Sequence, residues 1–185
     1  MLRVLGRTGW ALLRAAAQQD SAPALQAWSR GLLRDLHVET RLAGPLPEGA
    51  PLWIANHLSW LDPLVLMALR PMATLAKEEV ARYPIIGAAS KRIGLRFVDR
   101  SDPLSRAAAL VRFAQDLRRG ERLLLFPEGT TTRGEALAPL HAGGLRAAHR
   151  LGVPILPLRL SSPDVHYPWT GDESLLPHLK RLAGI

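Results

Sequence analysis

Short apolar runs alternate with helix-like patterns over most of the chain. The runs have the length of buried strands and occupy residues 52–56 (LWIAN), 72–76 (MATLA), 95–98 (LRFV), 123–126 (LLLF) and 153–160 (VPILPLRL). Between them, the sequence predicts helices after Asp62-Pro63, from about Asp102 to Arg119 and from about His141 to Leu151. A further helix-like stretch, broken by Pro84 and Gly87, lies between the second and third runs. This alternation of strands and helices predicts an α/β fold in which helices flank a mixed, mostly parallel sheet.

The first 43 residues carry a different pattern. Three arginines within residues 1–17 fall within about 40° of one another on a helical wheel, opposite three leucines. A second helix follows the start signal Ser21-Ala22-Pro23, with apolar residues at spacings of three and four. We therefore expect an amphipathic helical hairpin over residues 1–43, which either contacts a membrane surface or packs on its own domain. A turn-rich segment then opens an α/β domain over residues 44–185.

Composition narrows the class of protein. At 185 residues with 48% hydrophobic residues, the chain suffices for one domain with a core. It has no cysteine, which excludes disulfides, thiolate-zinc sites and a cysteine nucleophile. The 24 Lys and Arg residues against 16 Asp and Glu, a net charge of +8, predict an anionic partner: nucleic acid, a phospholipid surface or a phosphorylated substrate. No window approaches the roughly 18 uninterrupted apolar residues of a membrane span.

The stretch NHLSWLD, residues 56–62, places a histidine and an aspartate directly after the first predicted strand. Ligands of α/β proteins collect beyond the carboxyl ends of strands, which favours a functional interpretation of His57 and Asp62. Asp62-Pro63 also has the form of a helix start, with Asp as cap, so that His57 merely fills a turn. If Asp62 accepts a hydrogen bond from Nδ1 of His57, Nε2 is left as a general base.

A second polar stretch, FPEGTTTRG, follows the fourth predicted strand. Gly129 allows close backbone approach, threonine hydroxyls donate hydrogen bonds, and Arg133 can hold an anion with two parallel bonds. The alternative is an ordinary strand-to-loop connection with a solvated charge. Arg100 likewise stands just past a strand and joins this set of candidates.

Several other mechanisms lack their motifs. The chain contains no G-x-S-x-G elbow, no phosphate-binding glycine-lysine loop and no H-E-x-x-H pair. The remaining histidines show no metal-ligand spacing, and His141 and His149 are expected on a helix surface. With 5% aromatic residues and no recognition motif, nucleic acid is not an expected partner, and no metal site is expected.

Four blocks, in order, resemble those of the glycerolipid acyltransferase family, which includes the 1-acylglycerol-3-phosphate acyltransferases. They are NHLSWLD, YPIIG with LRFVDR, FPEGT and VPILPL, and they span roughly residues 50–160. The resemblance implies acyl transfer from acyl-CoA or acyl carrier protein to a lysophospholipid hydroxyl, without a further cofactor. It implies that His57 is the general base and that Asp62 orients it. It also implies substrate binding by Asn56, Arg100, Glu128, Gly129, Thr130 and Arg133, with a part in the site architecture as the alternative for Glu128 and Gly129.

Two departures from the family pattern concern the acceptor and the length. Thr131 stands where the family commonly has arginine after FPEGT, and FPEGTTT with WTGDESLLPHL resembles the lyso-ornithine lipid acyltransferases. The C-terminus is expected to be short relative to the family. The function that the resemblance implies is conversion of 1-acylglycerol-3-phosphate to phosphatidic acid in phospholipid biosynthesis. The alternatives are lyso-ornithine lipid acylation, thioester hydrolysis, or a non-catalytic basic lipid-binding protein on the same scaffold. The resemblance implies a peripheral location on the cytoplasmic face of a bacterial inner membrane.

Overall fold

The structure is a computed structural model that describes residues 22–46, 48–49, 51–77, 95–171 and 173–182. The first helix of the predicted hairpin lies outside these residues, as does the helix-like stretch around Pro84 and Gly87. No helix in the described ranges is both long enough and apolar enough to cross a membrane.

The described residues form five helices and five strands. The helices are α1 (Ala22–Asp35), α2 (Asp62–Leu69), α3 (Pro103–Arg118), α4 (Gly143–Arg150) and α5 (Leu175–Leu182). The strands are β1 (Leu52–Ala55), β2 (Ala73–Lys77), β3 (Leu95–Val98), β4 (Leu123–Leu125) and β5 (Ile155–Leu158). All five predicted strands and the predicted helices within the described residues are confirmed. Most of their ends differ from the predicted ends by one or two residues.

The strands form one sheet in the order β3-β2-β4-β1-β5. All four pairings between the described strands are parallel. β5 lies at an edge of the described sheet, where Pro157 is tolerated because an edge strand needs fewer N–H donors. The α/β prediction is thus confirmed, and the carboxyl ends of all five strands lie along the same edge of the sheet.

Alternating residues of the central strands enter two separate hydrophobic clusters. Trp53 and Leu124 pack with the leucines of α1 and α2 on one face of the sheet. Leu52 and Leu123 pack with Phe113 of α3 and residues of α4 on the other. The period of two along each strand therefore produces a three-layer α/β/α arrangement.

Helix α1 is packed against the α/β domain. Its leucines at positions 25, 32 and 33 are buried in the same cluster as Trp53. Gln26 and Arg30 donate side-chain hydrogen bonds to carbonyl groups at the C-terminal end of α2, which lack partners within that helix. The apolar face of the second hairpin helix is thus occupied by the protein's own core.

Candidate active site

The polar stretches after β1 and β4 meet at the carboxyl edge of the sheet. β1 and β4 are neighbours, with Ile54 opposite Leu125 near their ends. His57 follows β1 by two residues, and the Phe126–Gly129 turn follows β4 directly. The parallel register therefore brings together two segments that lie about 70 residues apart in the sequence.

The His57 imidazole is held in one orientation by two contacts. Its Nδ1 atom lies 2.8 Å from Oδ2 of Asp62, and its ring stacks on that of Phe126 with centroids 4.0 Å apart and planes 15° from parallel. Because the carboxylate accepts at Nδ1, the proton belongs on that nitrogen. Nε2 has no hydrogen-bond partner among the residues the structure describes, and the side chain is 17% exposed. Its lone pair is available to a substrate.

Asp62 is fully buried and its carboxylate turns back toward the loop that precedes it. Oδ2 accepts hydrogen bonds from the backbone N–H groups of Leu58, at 2.6 Å, and Ser59, at 2.8 Å. The prediction that Asp62 caps its helix is wrong, since Leu61 is the N-cap residue and no side chain caps α2. The carboxylate instead stabilises the loop that carries His57.

The second oxygen of Asp62 accepts a hydrogen bond from a residue that the sequence analysis missed. The Tyr167 hydroxyl lies 2.8 Å from Oδ1, across 105 positions of sequence. Burial, reinforced by the negative charge of Asp62, raises the pKa of Tyr167 far above its usual value. The phenol therefore stays protonated and donates.

Glu128 joins the two loops from inside the protein. It is 3% exposed, its Oε1 accepts from the N–H of His57 at 2.9 Å, and its Oε2 accepts from the N–H of Ala138 at 2.9 Å. The N–H of Thr132 donates in turn to the carbonyl of His57, at 2.8 Å. Both carboxylate oxygens of Glu128 are thus occupied by the backbone, and its place in the structure is architectural.

Asn56 also faces the backbone. Its amide nitrogen donates to the carbonyl of Leu160 at 3.0 Å, and its amide oxygen accepts from the N–H of the same residue at 2.7 Å. This two-bond contact joins the end of β1 to the chain leaving β5. Asn56, which was predicted to bind substrate, fixes the position of the His57 loop.

Gly129 and Arg100 meet on the exposed side of the site. Gly129 has a φ of +68°, and a Cβ atom there would lie 2.8 Å from Cδ2 of His141. The Arg100 guanidinium donates to the Gly129 carbonyl, which brings its positive charge to the loop after β4. His141 was expected on a helix surface, but it lies on the loop before α4 and its N–H donates to the Pro127 carbonyl at 2.7 Å.

Thr130 and Arg133 lie on the surface of this loop. Both residues are exposed, and the Arg133 guanidinium makes no hydrogen bond or ion pair with another residue of the described ranges. Among those same ranges, no group of three or more His, Asp or Glu side chains could hold a metal ion. The arrangement offers a general base with its carboxylate on the inside and arginine side chains on the outside.

The sequence of the whole chain can be placed among known proteins. A model of the Acyltransferase family matches residues 37–161, which include His57, Asp62, Arg100 and Glu128. The chain belongs to the acyltransferase family. This membership confirms the resemblance drawn from the four sequence blocks.

Two relatives show how the acyltransferase family compares with this chain. The chain is 38% identical to a lyso-ornithine lipid O-acyltransferase of Pseudomonas aeruginosa, over 96% of this chain and 72% of that protein. It is 30% identical to a 1-acyl-sn-glycerol-3-phosphate acyltransferase of Neisseria meningitidis, over 80% of this chain and 57% of the relative. The chain therefore spans little more than half the length of the second relative.

A solved structure shares the fold. The 1-acyl-sn-glycerophosphate acyltransferase of Thermotoga maritima superposes with a TM-score of 0.62 at 18% identity, covering 84% of this chain and 73% of that one. This similarity agrees with the predicted α/β acyltransferase fold.

Proposed function

We propose that this acyltransferase moves a fatty acyl group from a thioester, on coenzyme A or acyl carrier protein, to the free hydroxyl of a lysolipid. The observation that carries the proposal is the His57 imidazole, bound to Asp62 through Nδ1 at 2.8 Å and with Nε2 directed away from that contact. A neutral imidazole oriented in this way is a general base for a hydroxyl group.

The reaction needs only one proton transfer in each direction. Nε2 of His57 takes the proton of the acceptor hydroxyl while its oxygen attacks the thioester carbonyl carbon. The tetrahedral intermediate then collapses, the carbon–sulfur bond breaks, and the leaving thiolate takes the proton back from His57. Asp62 stabilises the imidazolium between these steps. An acyl-enzyme is not needed, because alignment of both substrates makes direct attack effective.

The acceptor we favour is lyso-ornithine lipid. The Pseudomonas relative named for that acceptor is 38% identical over 96% of this chain, and Thr131 replaces the arginine that commonly follows FPEGT in the family. The second acceptor is lysophosphatidic acid, because Arg100 and Arg133 on the exposed side of the site suit a phosphate. In either case, Arg100, Thr130 and Arg133 would contact the acceptor.

The deciding experiment supplies a labelled fatty acyl group, bound to acyl carrier protein or to coenzyme A, together with each lysolipid in turn. We expect a labelled two-chain lipid from the wild-type protein and none from His57→Ala. Release of labelled fatty acid alone would replace the transferase proposal by thioester hydrolysis. No turnover of any donor would favour the non-catalytic lipid-binding alternative.

The proposal includes binding to the cytoplasmic face of the bacterial inner membrane, where the lysolipid acceptor partitions. Basic amphipathic residues at the N-terminus and the net charge of +8 support attraction to anionic lipid. Because α1 contributes leucines to the core, the test should remove residues 2–20 only. We expect this deletion to reduce sedimentation with anionic liposomes; sedimentation equal to that of the full chain would contradict a membrane role for those residues.

A further inference from the structure

The chain that follows β5 returns to the candidate active site. Within residues 161–171, here called the return segment, the Tyr167 hydroxyl donates to Oδ1 of Asp62 and the N–H of Trp169 donates to the Leu58 carbonyl at 2.8 Å. Both bonds end on the stretch that carries His57. The family match ends at residue 161, so the return segment lies almost entirely beyond it.

We propose that Tyr167 is a positioning residue of the acyl-transfer reaction: its hydroxyl orients the Asp62 carboxylate and sets how strongly Asp62 holds the protonated His57. This inference rests on the proposed function, in which His57 is the base. Tyr167 contacts Asp62 and acts on the reaction only through it.

The hydrogen-bond inventory of Asp62 supports this role. Oδ2 accepts from two backbone N–H groups and from His57, whereas Tyr167 is the partner that Oδ1 has among the described residues. Asp62 is fully buried, so water does not compensate for a lost donor. With the phenol in place, the carboxylate shares its negative charge between four donors. Without it, more of that charge faces the imidazolium, and His57 gives up its proton less readily.

A second set of contacts holds Tyr167 itself. The Trp60 indole N–H donates to Nδ1 of the buried His178 at 2.9 Å, which places the His178 proton on Nε2. Nε2 lies 3.2 Å from the Tyr167 carbonyl and donates to it. Helix α5, which carries His178, therefore fixes the backbone of Tyr167 above Asp62, and Trp60 ties this contact back to the His57 loop.

The test compares Tyr167→Phe with Trp169→Phe. Tyr167→Phe removes the hydroxyl from Asp62 and keeps the ring. Trp169→Phe removes a different hydrogen bond of the same segment, from its indole N–H to the Glu173 carbonyl at 2.8 Å, and keeps the backbone bond to Leu58. The protonation midpoint of His57 is followed by NMR of the ¹⁵N-histidine-labelled full chain, with His57 signals assigned by their loss in His57→Ala. The same proteins are assayed for acyl transfer as a function of pH.

We expect Tyr167→Phe to move the His57 midpoint upward by several tenths of a pH unit or more, and to move the acid limb of kcat/KM with it. We also expect kcat to fall several-fold while KM for the lysolipid changes little. Trp169→Phe should leave the midpoint where the wild type has it. An unchanged midpoint in folded Tyr167→Phe, or an equal shift in both variants, would overturn the inference.

The NMR titration separates the two proposals. If the wild-type chain transfers no acyl group but Tyr167→Phe still shifts the protonation midpoint of His57, the proposed function fails. The coupling of Tyr167 to the His57–Asp62 pair then stands. If transfer depends on His57 but the midpoint does not move, the reverse holds.

Discussion

At the scale of single residues, the site depends on a buried negative charge. Asp62 has no exposed surface, and a carboxylate in such a place is tolerated only when its oxygens are well supplied with donors. Its donors are the backbone of Leu58 and Ser59, the imidazole of His57 and the phenol of Tyr167. The carboxylate that contacts His57 is therefore held in place by the backbone of the loop that carries that histidine.

Asp62→Asn keeps the shape of this side chain and removes its charge. The amide oxygen can still accept from the Leu58 and Ser59 N–H groups, and the hydroxyl of Tyr167 can accept from the amide nitrogen. We expect a folded protein whose kcat for acyl transfer falls by about a thousandfold, within the usual range for a lost acid–base function. Steady-state kinetics measures this, and a loss of less than about tenfold would argue against the dyad.

Gly129→Ala tests the close approach of His141. Gly152 provides a matched control, since its φ of +63° resembles the +68° of Gly129 and its Cβ would meet no atom of the described residues within 4 Å. Both substitutions carry a left-handed backbone penalty of about 1–2 kcal/mol. We expect Gly129→Ala to lower both the free energy of unfolding and the transfer rate further than Gly152→Ala. Equal effects would show that the loop yields to the new methyl group.

The sequence predicted the site residues whose contacts are close in sequence or follow from strand pairing, and missed the one whose contact is distant. His57 and Asp62 are five positions apart, and the parallel sheet brings Glu128 to them from a neighbouring strand. Tyr167 carries no such signal, because its partner is 105 positions away and the turn that places it follows no regular pattern. Asn56 was identified as a site residue, but its contact with Leu160 depends on the pairing of β1 with β5.

At the scale of elements, the loops after β1 and β4 behave as one unit. In the loop after β4, Glu128 accepts a hydrogen bond from the N–H of His57, and the N–H of Thr132 donates one to the His57 carbonyl. The position of His57 therefore depends on Glu128, whose two carboxylate oxygens accept hydrogen bonds from the backbone.

Glu128→Gln tests this connection. Both Glu128 oxygens accept hydrogen bonds from backbone N–H groups. The NH₂ group of a glutamine side chain would replace one of these acceptors and face an N–H donor. We expect a loss of about 1–3 kcal/mol in the free energy of unfolding, and a reduced transfer rate. Exposed Glu135 is the control, and Glu135→Gln should change neither. Urea unfolding measures the first effect; wild-type stability in Glu128→Gln would contradict the architectural role.

The spacing of hydrophobic residues predicted whether each element is a helix or a strand, but it did not predict how each element begins. The alternation of Leu52 and Trp53 between two clusters is the period that predicts a strand. The start of α2 was read from Asp62-Pro63 as a capped helix, yet the Asp62 carboxylate bonds the preceding loop. The carboxylate accepts hydrogen bonds from N–H groups three and four positions before it, and the Asp-Pro signal does not distinguish these donors from those of the first helical turn.

At the scale of the whole molecule, His178 makes folding sensitive to acid. Burial, assisted by the positive charge of Arg181, lowers the pKa of His178, and the negative charge of Glu173 partly opposes this shift. The unfolded chain therefore binds a proton below about pH 6.5 that the folded chain resists, and stability is lost as the pH falls through that region. Protonation of Nδ1 would also break the bond from Trp60.

We expect the free energy of unfolding to decrease between pH 7.5 and pH 5, and His178→Gln to weaken that dependence, because glutamine can keep both hydrogen bonds without titrating. The exposed His149 of α4 is the control, and His149→Gln should keep the wild-type dependence. Urea unfolding at several pH values measures this. A dependence in His178→Gln as steep as that of the wild type would remove His178 as its source.

The initial rate of labelled acyl transfer to lyso-ornithine lipid and to lysophosphatidic acid, in His57→Ala and His149→Ala side by side, tests the central claim most directly. Both variants remove one imidazole; the first removes the proposed base, the second an exposed histidine of α4. The account predicts that transfer is abolished in His57→Ala and stays at the wild-type rate in His149→Ala. Transfer that persists in folded His57→Ala would contradict it.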